Sequence, residues 1–427
     1  MLFALTMIAF FGLAFLGMPI VWSILAATIL YMGLSDGGYT FEGMALSFVG
    51  GIEPFHLLAV PMFILAGELM GRGGVSNRLI DFASKVLSFL PGSLGVVTVS
   101  SSMVFAGVSG SAVADSAAVG GVMIPGMQRR GYTASYAAAL VAVAGTIGII
   151  IPPSIPMIVF AFLAGTSVKD LFLAGFIPGL LFGFALIAWS MFIARRHRWD
   201  PGAPLAPARE IGRSFLACVP ALLMPVIILG GIFGGVFTPT EAGAVAIAYA
   251  LVVGLWIYRE LRIADLPDIL LQSFVTSATV MLVIGATTAL AWVITLEGVP
   301  LLLIDAIRSV TESKAVFLLI VNVLLLVLGI FLEPVPALVL TAPLLLPVGK
   351  AMGVDPVHFG LIMVCNLALG LFTPPVGGTL FVAAKIANAR MGRITRDLIP
   401  MFAICVLVLA IVTYLPDFVM APVRWFR

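Results

Sequence analysis

The chain has 427 residues, 62% hydrophobic and 10% charged, with a formal net charge of +2 and a mean hydropathy of +1.20. A soluble domain carries about 25% charged residues, so this composition belongs to an all-α polytopic membrane protein in a lipid bilayer. No basic arm or stripe is present, which excludes nucleic acid as a partner.

Residues 1–53 open with an apolar run, Leu2 to Met32, that no Lys or Arg precedes. It is too long and too uncharged for a cleaved leader and predicts a first span. The loop after it carries Asp36, Glu42 and Glu53 and no base, and a second span near 55–70 ends at Arg72, Arg78 and Lys85. Basic residues collect on the cytoplasmic side, so the N-terminus is placed inside and the acidic loop outside. Charged and apolar residues alternate at helical spacing over 76–89, as in a helix lying along the interface.

The apolar stretch 95–124 is too short for two crossings and too long for one. Lys85 precedes it and Arg129 and Arg130 follow, so both ends face the cytoplasm. It reads as a re-entrant hairpin with Gly107-Val108-Ser109-Gly110-Ser111 at its tip. A crossing over 134–166 is interrupted at Gly148–Pro153, and 171–194 returns, which completes a first unit over 54–194. The linker 195–213 holds five Arg against two acids and is cytoplasmic.

Two further spans occupy 214–271, and a second unit follows over 272–427. It comprises a span at 272–295, an interfacial helix at 299–313 and a hairpin at 315–348 with its tip at 329–336. A broken helix at 358–388 and a last span at 398–415 complete it and leave the C-terminus outside. The count is nine full crossings. Arg308, Lys314 and Lys350 depart from the charge rule on the outer side.

The two units are copies. Gly148-Ile-Ile-Ile-Pro152-Pro153-Ser154 returns 222 positions later as Gly370-Leu-Phe-Thr-Pro374-Pro375-Val376. Pro125 maps onto Pro347, Gly131 onto Gly353 and Pro178 onto Pro400. Upstream the offset is 224, pairing Gly74-Val75 with Gly298-Val299. A Pro-Pro pair inside a span removes two backbone donors and bars the preceding residue from α geometry. In lipid such a break persists only where it is buried in protein or lines a polar cavity. Matched breaks in the two halves of a membrane protein point to a transport site, and the charge pattern makes the halves inverted repeats.

Half-helices that stop at such breaks expose unpaired carbonyls at one end, suited to a dehydrated cation, and unpaired N–H groups at the other, suited to a carboxylate. Ser109, Ser111, Ser154, Thr146, Thr373 and Thr379 stand at these points. The alternative role for each is close helix packing. Asp115, just past the first tip, either ligates a cation, couples protons or caps the returning helix. Glu333, before Pro334 in the second tip, carries the same ambiguity. Asn366 either braces the break or touches substrate. Glu68 and Arg72, one turn apart, read as an interfacial pair, and Lys385 as a side chain reaching for the cytoplasmic face. Cys218, Cys365 and Cys405 stand singly in apolar spans without metal or redox spacing.

No phosphate-binding loop or zinc-protease motif is present, so neither ATP nor zinc chemistry is indicated. Gly107-Val108-Ser109-Gly110 matches the short pattern around the nucleophile of intramembrane serine proteases. That chemistry needs a membrane-embedded histidine, whereas His56 and His358 stand at span ends and His197 lies in the linker. A channel is the other rival, since re-entrant loops also form filters.

Ser109-Gly-Ser-Ala-Val-Ala-Asp115 with the run to Pro125, the break Gly148–Pro156, and Gly370-Leu-Phe-Thr-Pro-Pro-Val-Gly377 together resemble the large membrane subunit of TRAP transporters, the tripartite ATP-independent periplasmic transporters. The resemblance covers essentially the whole chain. It implies import of organic acids such as C4-dicarboxylates and sialic acid across the bacterial inner membrane, driven by a sodium gradient. It also implies an elevator mechanism, in which hairpins and broken helices slide against a fixed scaffold. The implied partners are a small four-helix membrane subunit, expected here as a separate polypeptide, and a periplasmic substrate-binding protein. Carried onto this sequence, sodium would lie among Ser109, Ser111, Asp115, Thr146, Gly148 and Pro152, and among Gly329, Thr373, Pro375, Gly378 and Thr379. Substrate would lie between the tips, near Ser109, Gly110, Ser154, Glu333, Pro334, Asn366 and Gly377. The alternative is a self-sufficient cation-coupled carboxylate transporter of similar build.

Overall fold

The computed structural model describes residues 2–35 and 37–426, so Asp36 of the acidic loop lies outside the described residues. Every regular element among them is helical, and eight helical stretches are long and apolar enough to cross a membrane.

The N-terminus differs from its reading as a single span. It forms two helices, α1 (Leu2–Phe15) and α2 (Ile20–Leu34), which fold back and pack on each other. Gly17 takes a left-handed conformation (φ 89°) and Pro19 stands immediately before α2. Proline disfavours α geometry at the residue before it, so the chain turns here although the apolar run continues. Each helix is about 21–23 Å long at 1.5 Å per residue, short of a ~30 Å hydrocarbon core. A folded-back pair of short helices before residue 35, in place of one span, removes the argument that set the N-terminus opposite the acidic loop.

That loop is itself largely helix. Thr40 caps α3 (Phe41–Ile52) by accepting from the Gly43 N–H at 3.1 Å. A single 3₁₀ turn then leads to α4 (Ala59–Arg72). In series, α3 and α4 run antiparallel to α13 (Leu266–Leu296): Trp292 packs over Gly43, Thr288 against Gly51, and Arg72 reaches Asp268 at 2.6 Å. The ends of α13 therefore mark the two sides of the molecule.

From the Arg72 end the chain enters α5 (Val75–Leu87), then a hairpin of α6 (Ser93–Ser109) and α7 (Ala112–Arg129). The first broken helix follows, as α8 (Ala134–Gly145), a 3₁₀ turn over Thr146–Ile149 and α9 (Ile155–Ala164), and then α10 (Val168–His197). Next come α11 (Ala208–Phe233) and α12 (Pro239–Val252). The Glu297 end of α13 leads into the same order again: α14 (Val299–Val310), a hairpin of α15 (Lys314–Phe331) and α16 (Pro334–Ala351), a broken helix of α17 (Pro356–Gly370) and α18 (Gly378–Ala387), and α19 (Met391–Tyr414). Two short helices, α20 (Pro416–Val419) and α21 (Ala421–Trp425), turn back along α10.

The recurrence extends to backbone detail. Gly74 and Gly298 are both left-handed before α5 and α14, and Gly131 and Gly353 are both left-handed where the hairpins end. Contacts exchange between the halves as well: α2 packs on α13 as α12 packs on α4, and α9 packs on α16 as α18 packs on α7. The core lies around α8 and α17, which are buried on every side from Tyr136 to Gly145 and from Val357 to Gly370. In lipid such cores cohere by close van der Waals packing, which small residues permit. The run of alanines in α8 and Gly360 beneath the Phe160 ring serve that end.

Arg308 and Lys314, two of the three exceptions to the charge rule, donate to the carbonyls of Ala351 and Gly353 at 3.3 and 2.9 Å. Arg308 thereby satisfies a last-turn carbonyl of α16 and Lys314 one just past its end, where a positive charge also meets the negative end of the helix dipole.

Candidate functional site

The two hairpin tips differ from each other. At the first, Gly110 is left-handed (φ 62°) and ends α6, while Ser111 caps α7 by accepting from Ala114 N–H at 3.4 Å. The Ser109 hydroxyl donates to Asp115 Oδ1 and accepts from the Ser111 N–H at 3.1 Å. Asp115 is fully buried, and its Oδ2 has no hydrogen-bond partner among the described residues. That oxygen lies so close to Gly148 that a methyl group there would overlap it. Asp115 thus faces the first break, and Ser111, not Asp115, caps the returning helix. At the second tip, Leu332 and Glu333 are extended and Glu333 makes no side-chain cap to α16.

Both breaks contain cis Pro-Pro bonds, at Pro152-Pro153 and Pro374-Pro375. In the first, Ser154 donates to the Ile149 carbonyl at 2.6 Å and caps α9, and Thr146 donates to Val143 at 2.8 Å. The Pro152 and Pro153 carbonyls lie beside Gly107 and Gly110 of the first tip. In the second, the Leu371 carbonyl accepts from both the N–H and the hydroxyl of Thr379, at 3.1 and 2.9 Å, and Thr373 donates to Leu369 at 2.6 Å. Gly370 lies directly on the Gly329 backbone, with no room for a Cβ.

These parts converge on one cavity of about 180 Å³. The first tip contributes Ser109, Gly110 and Ser111, the second Glu333 and Pro334, and the breaks Ile149, Ile155 and Leu371. Helices α4 and α13 close it with Gly67, Glu68, Thr276 and Thr279. A smaller cavity of about 80 Å³ separates the second tip from the second break and is lined by Gly329, Glu333, Gly377 and Gly378.

The remaining candidate residues lie apart from the central cavity. Thr146 and Ser154 are buried behind it, and Pro375 is exposed. Asn366 donates to Asn322 Oδ1 at 2.7 Å, and Asn322 donates to Thr413 at 3.1 Å, so this ladder ties α17 to α15 and α19. Lys385 is exposed in the last turn of α18. Glu68 is the residue the sequence undervalued. Its expected partner Arg72 is engaged by Asp268 and by Gln272 at 2.6 Å, which leaves Glu68 facing the cavity. Only the long-range pairing with α13 separates the two, and spacing within α4 carries no sign of it. Thr276 and Thr279 went unnoticed for the same reason.

No histidine bonds to Ser109 among the described residues, and His358 engages the Val412 carbonyl at 2.8 Å. The protease pairing is therefore absent there.

The profile described as "Tripartite ATP-independent periplasmic transporter, DctM component" matches residues 7–418. The chain is 42% identical over 373 residues to the C4-dicarboxylate TRAP transporter large permease protein DctM of Pseudomonas aeruginosa, covering 87% of each. It is 38% identical over 408 residues to the sialic acid TRAP transporter large permease protein SiaM of Vibrio cholerae, covering 95% of each. Among solved structures, the Alcanivorax borkumensis YdaH transporter superposes with a TM-score of 0.62 over 90% of each chain at 14% identity, a likeness of fold. The chain is thus a multi-pass transport protein rather than an enzyme, and it belongs to the DctM family of large permease components of tripartite ATP-independent periplasmic transporters.

Proposed function

We propose that this chain is the transport-competent membrane subunit of a sodium-coupled importer of organic acids in the bacterial inner membrane. The observation that carries the reading is the meeting of both hairpin tips and both breaks at one cavity closed by α4 and α13. A site built from two re-entrant tips and two interrupted helices presents helix ends to cargo from several directions, as coupled transporters require.

Sodium is assigned first to the pocket between Asp115 and the first break. A buried carboxylate oxygen without a partner costs several kcal/mol unless a cation or proton meets it, and Asp115 Oδ2 is such an oxygen. The carbonyls at the first tip and at Pro152 and Pro153 supply further oxygen ligands. A second sodium is assigned to the carbonyl-rich contact between Gly329 and the Leu371–Gly378 break. Ala337 stands there where Asp115 stands in the first half, so the carboxylate nearest this second site is Glu333 at the tip.

The two units act as inverted repeats. Hairpins and broken helices move together as the carrier of an elevator, and α4 and α13 belong to the fixed wall. A small four-helix membrane subunit joins that wall, and a periplasmic binding protein delivers substrate on the side to which the C-terminus is assigned.

The test is the melting temperature of the purified protein in sodium chloride and in potassium chloride at equal ionic strength. Saturation a hundredfold over the dissociation constant stabilises a folded protein by about 2.7 kcal/mol. A sodium-specific rise is expected, much reduced in Asp115→Asn. Equal melting in both salts would move coupling to protons. Uptake in proteoliposomes that needs neither the small subunit nor a binding protein would instead mark a self-sufficient carrier.

A further inference from the structure

The central cavity is charged in one direction only. Glu68 enters from α4 and Glu333 from the second tip, and no Lys, Arg or His is among its described lining residues. Neither carboxylate has a side-chain hydrogen bond or ion pair among the described residues, since Arg72 is held by Asp268. A half-buried Glu68 and an exposed Glu333 both oppose an incoming anion, Glu68 the more strongly because water screens it less, and a second negative group on that anion adds to the penalty.

The repeat places the opposite chemistry across the cavity. With the 222-residue offset, Ser111-Ala112-Val113-Ala114 at the start of α7 corresponds to Glu333-Pro334-Val335-Pro336 at the start of α16. All of these residues line the cavity. The first turn of a helix leaves its N–H groups unpaired. In α7 the Ser111 hydroxyl takes the Ala114 N–H, leaving those of Ala112 and Val113 at the positive end of an 18-residue helix. In α16 two of the three corresponding N–H groups are removed by proline, and the capping position carries a carboxylate that does not cap its own helix. One pole of the cavity therefore offers donors and positive potential. The other keeps a single first-turn N–H, that of Val335, and sets the Glu333 carboxylate before it.

We infer that the site selects a hydroxylated monocarboxylate, with its single carboxylate at the α7 N-terminus and its hydroxyl groups donating to Glu68 and Glu333. This rests on the carrier function proposed above and narrows its substrate class. A dicarboxylate without hydroxyls would set its second anion against two carboxylates and leave both without donors. Hydrogen bonds to an ionised acceptor are roughly twice as strong as neutral ones, so the discrimination amounts to tenfold or more.

The experiment titrates the purified full-length protein in sodium chloride with gluconate and with succinate, reading melting temperature to obtain an apparent dissociation constant for each. Gluconate is expected to bind at least tenfold more tightly than succinate. Glu68→Gln and Glu333→Gln should each reduce that ratio several-fold, because both weaken the acceptor and relieve the repulsion on a second anion. Equal or tighter binding of succinate to the unaltered protein overturns the inference while leaving a sodium-coupled acid carrier standing. So does a ratio unchanged in both variants. Absence of sodium-dependent stabilisation by either acid overturns the carrier function itself, and this inference with it.

Discussion

Gly148 shows how tightly the first break is bound to the first tip. Its Cα lies against Asp115 Oδ2, so Gly148→Ala must push the carboxylate or the helix break aside. The expected result is loss of at least tenfold in sodium affinity, with the protein still folded, read from the sodium-dependent shift in melting temperature. An unchanged shift would place the cation elsewhere. At the C-terminal end of α13, Glu297 accepts from Ser35 at 2.6 Å and Tyr39 at 2.7 Å. These two bonds, Ser35 first, hold the Glu297 carboxyl below its ordinary value of 4.5. Burial first, and then Glu297, push the Tyr39 hydroxyl up to about 12. A depressed carboxyl stabilises the fold above its unfolded pKa and loses that contribution as pH falls through the folded value. The melting temperatures of the unaltered protein and Tyr39→Phe should therefore differ at neutral pH and converge below about pH 4.5. Curves that stay parallel to lower pH would show that the bond does not matter to stability.

Among elements, the linker between the halves is fastened to the base of the first hairpin. Asp200 in that linker is fully buried and accepts from Ser93 Oγ at 2.7 Å, from the Leu94 N–H at 2.9 Å and from Arg130 at 3.2 Å. Its backbone carbonyl accepts from Gly92 N–H at 2.8 Å. Asp200→Ala orphans the first turn of α6 and should cost on the order of 2–4 kcal/mol, seen as faster amide exchange over residues 93–98. Unchanged exchange there would mean that the linker merely lies nearby. This fastening was not legible in the chain, where Asp200 is one acid among five arginines in a loop read only for its charge. The hairpins and breaks were legible because prolines and glycines fix backbone geometry wherever they stand, and the copy at residue 370 repeated the one at 148. The fold-back at Gly17 and Pro19 obeys the same rule. It escaped because hydropathy averaged across the turn stays high, and α3 escaped because its acids suggested a loop although Thr40 supplies a cap. Glu68 depended on which partner Arg72 takes, a tertiary fact that spacing does not contain.

For the molecule as a whole, the proposed mechanism requires the hairpins and broken helices to slide past α13. That helix presents one continuous face to them. Thr276, Thr279 and Val283 line the central cavity, and Thr287 and Ala291, one and two turns further on, line a gap of about 250 Å³. Across the gap stand Phe162 and Leu163 of α9 and Val339 and Pro343 of α16. A contact surface that stays put is packed like any protein interior, with few voids larger than a water molecule. In the proposed mechanism, a gap at this place leaves room for side chains to exchange positions as α9 and α16 pass. Ala291→Phe puts a ring into that gap without touching the tips or breaks. Overpacking of this kind costs about 1–3 kcal/mol where the space is already filled and less where it is empty, so folding should survive. The expected outcome is uptake reduced by more than tenfold in proteoliposomes containing the partner proteins, with the sodium-dependent rise in melting temperature intact. Binding kept and movement lost would separate the carrier from the wall along α13. Uptake at the unaltered rate would show that the surfaces on either side of the gap do not move past each other, and an elevator along this helix would have to be abandoned.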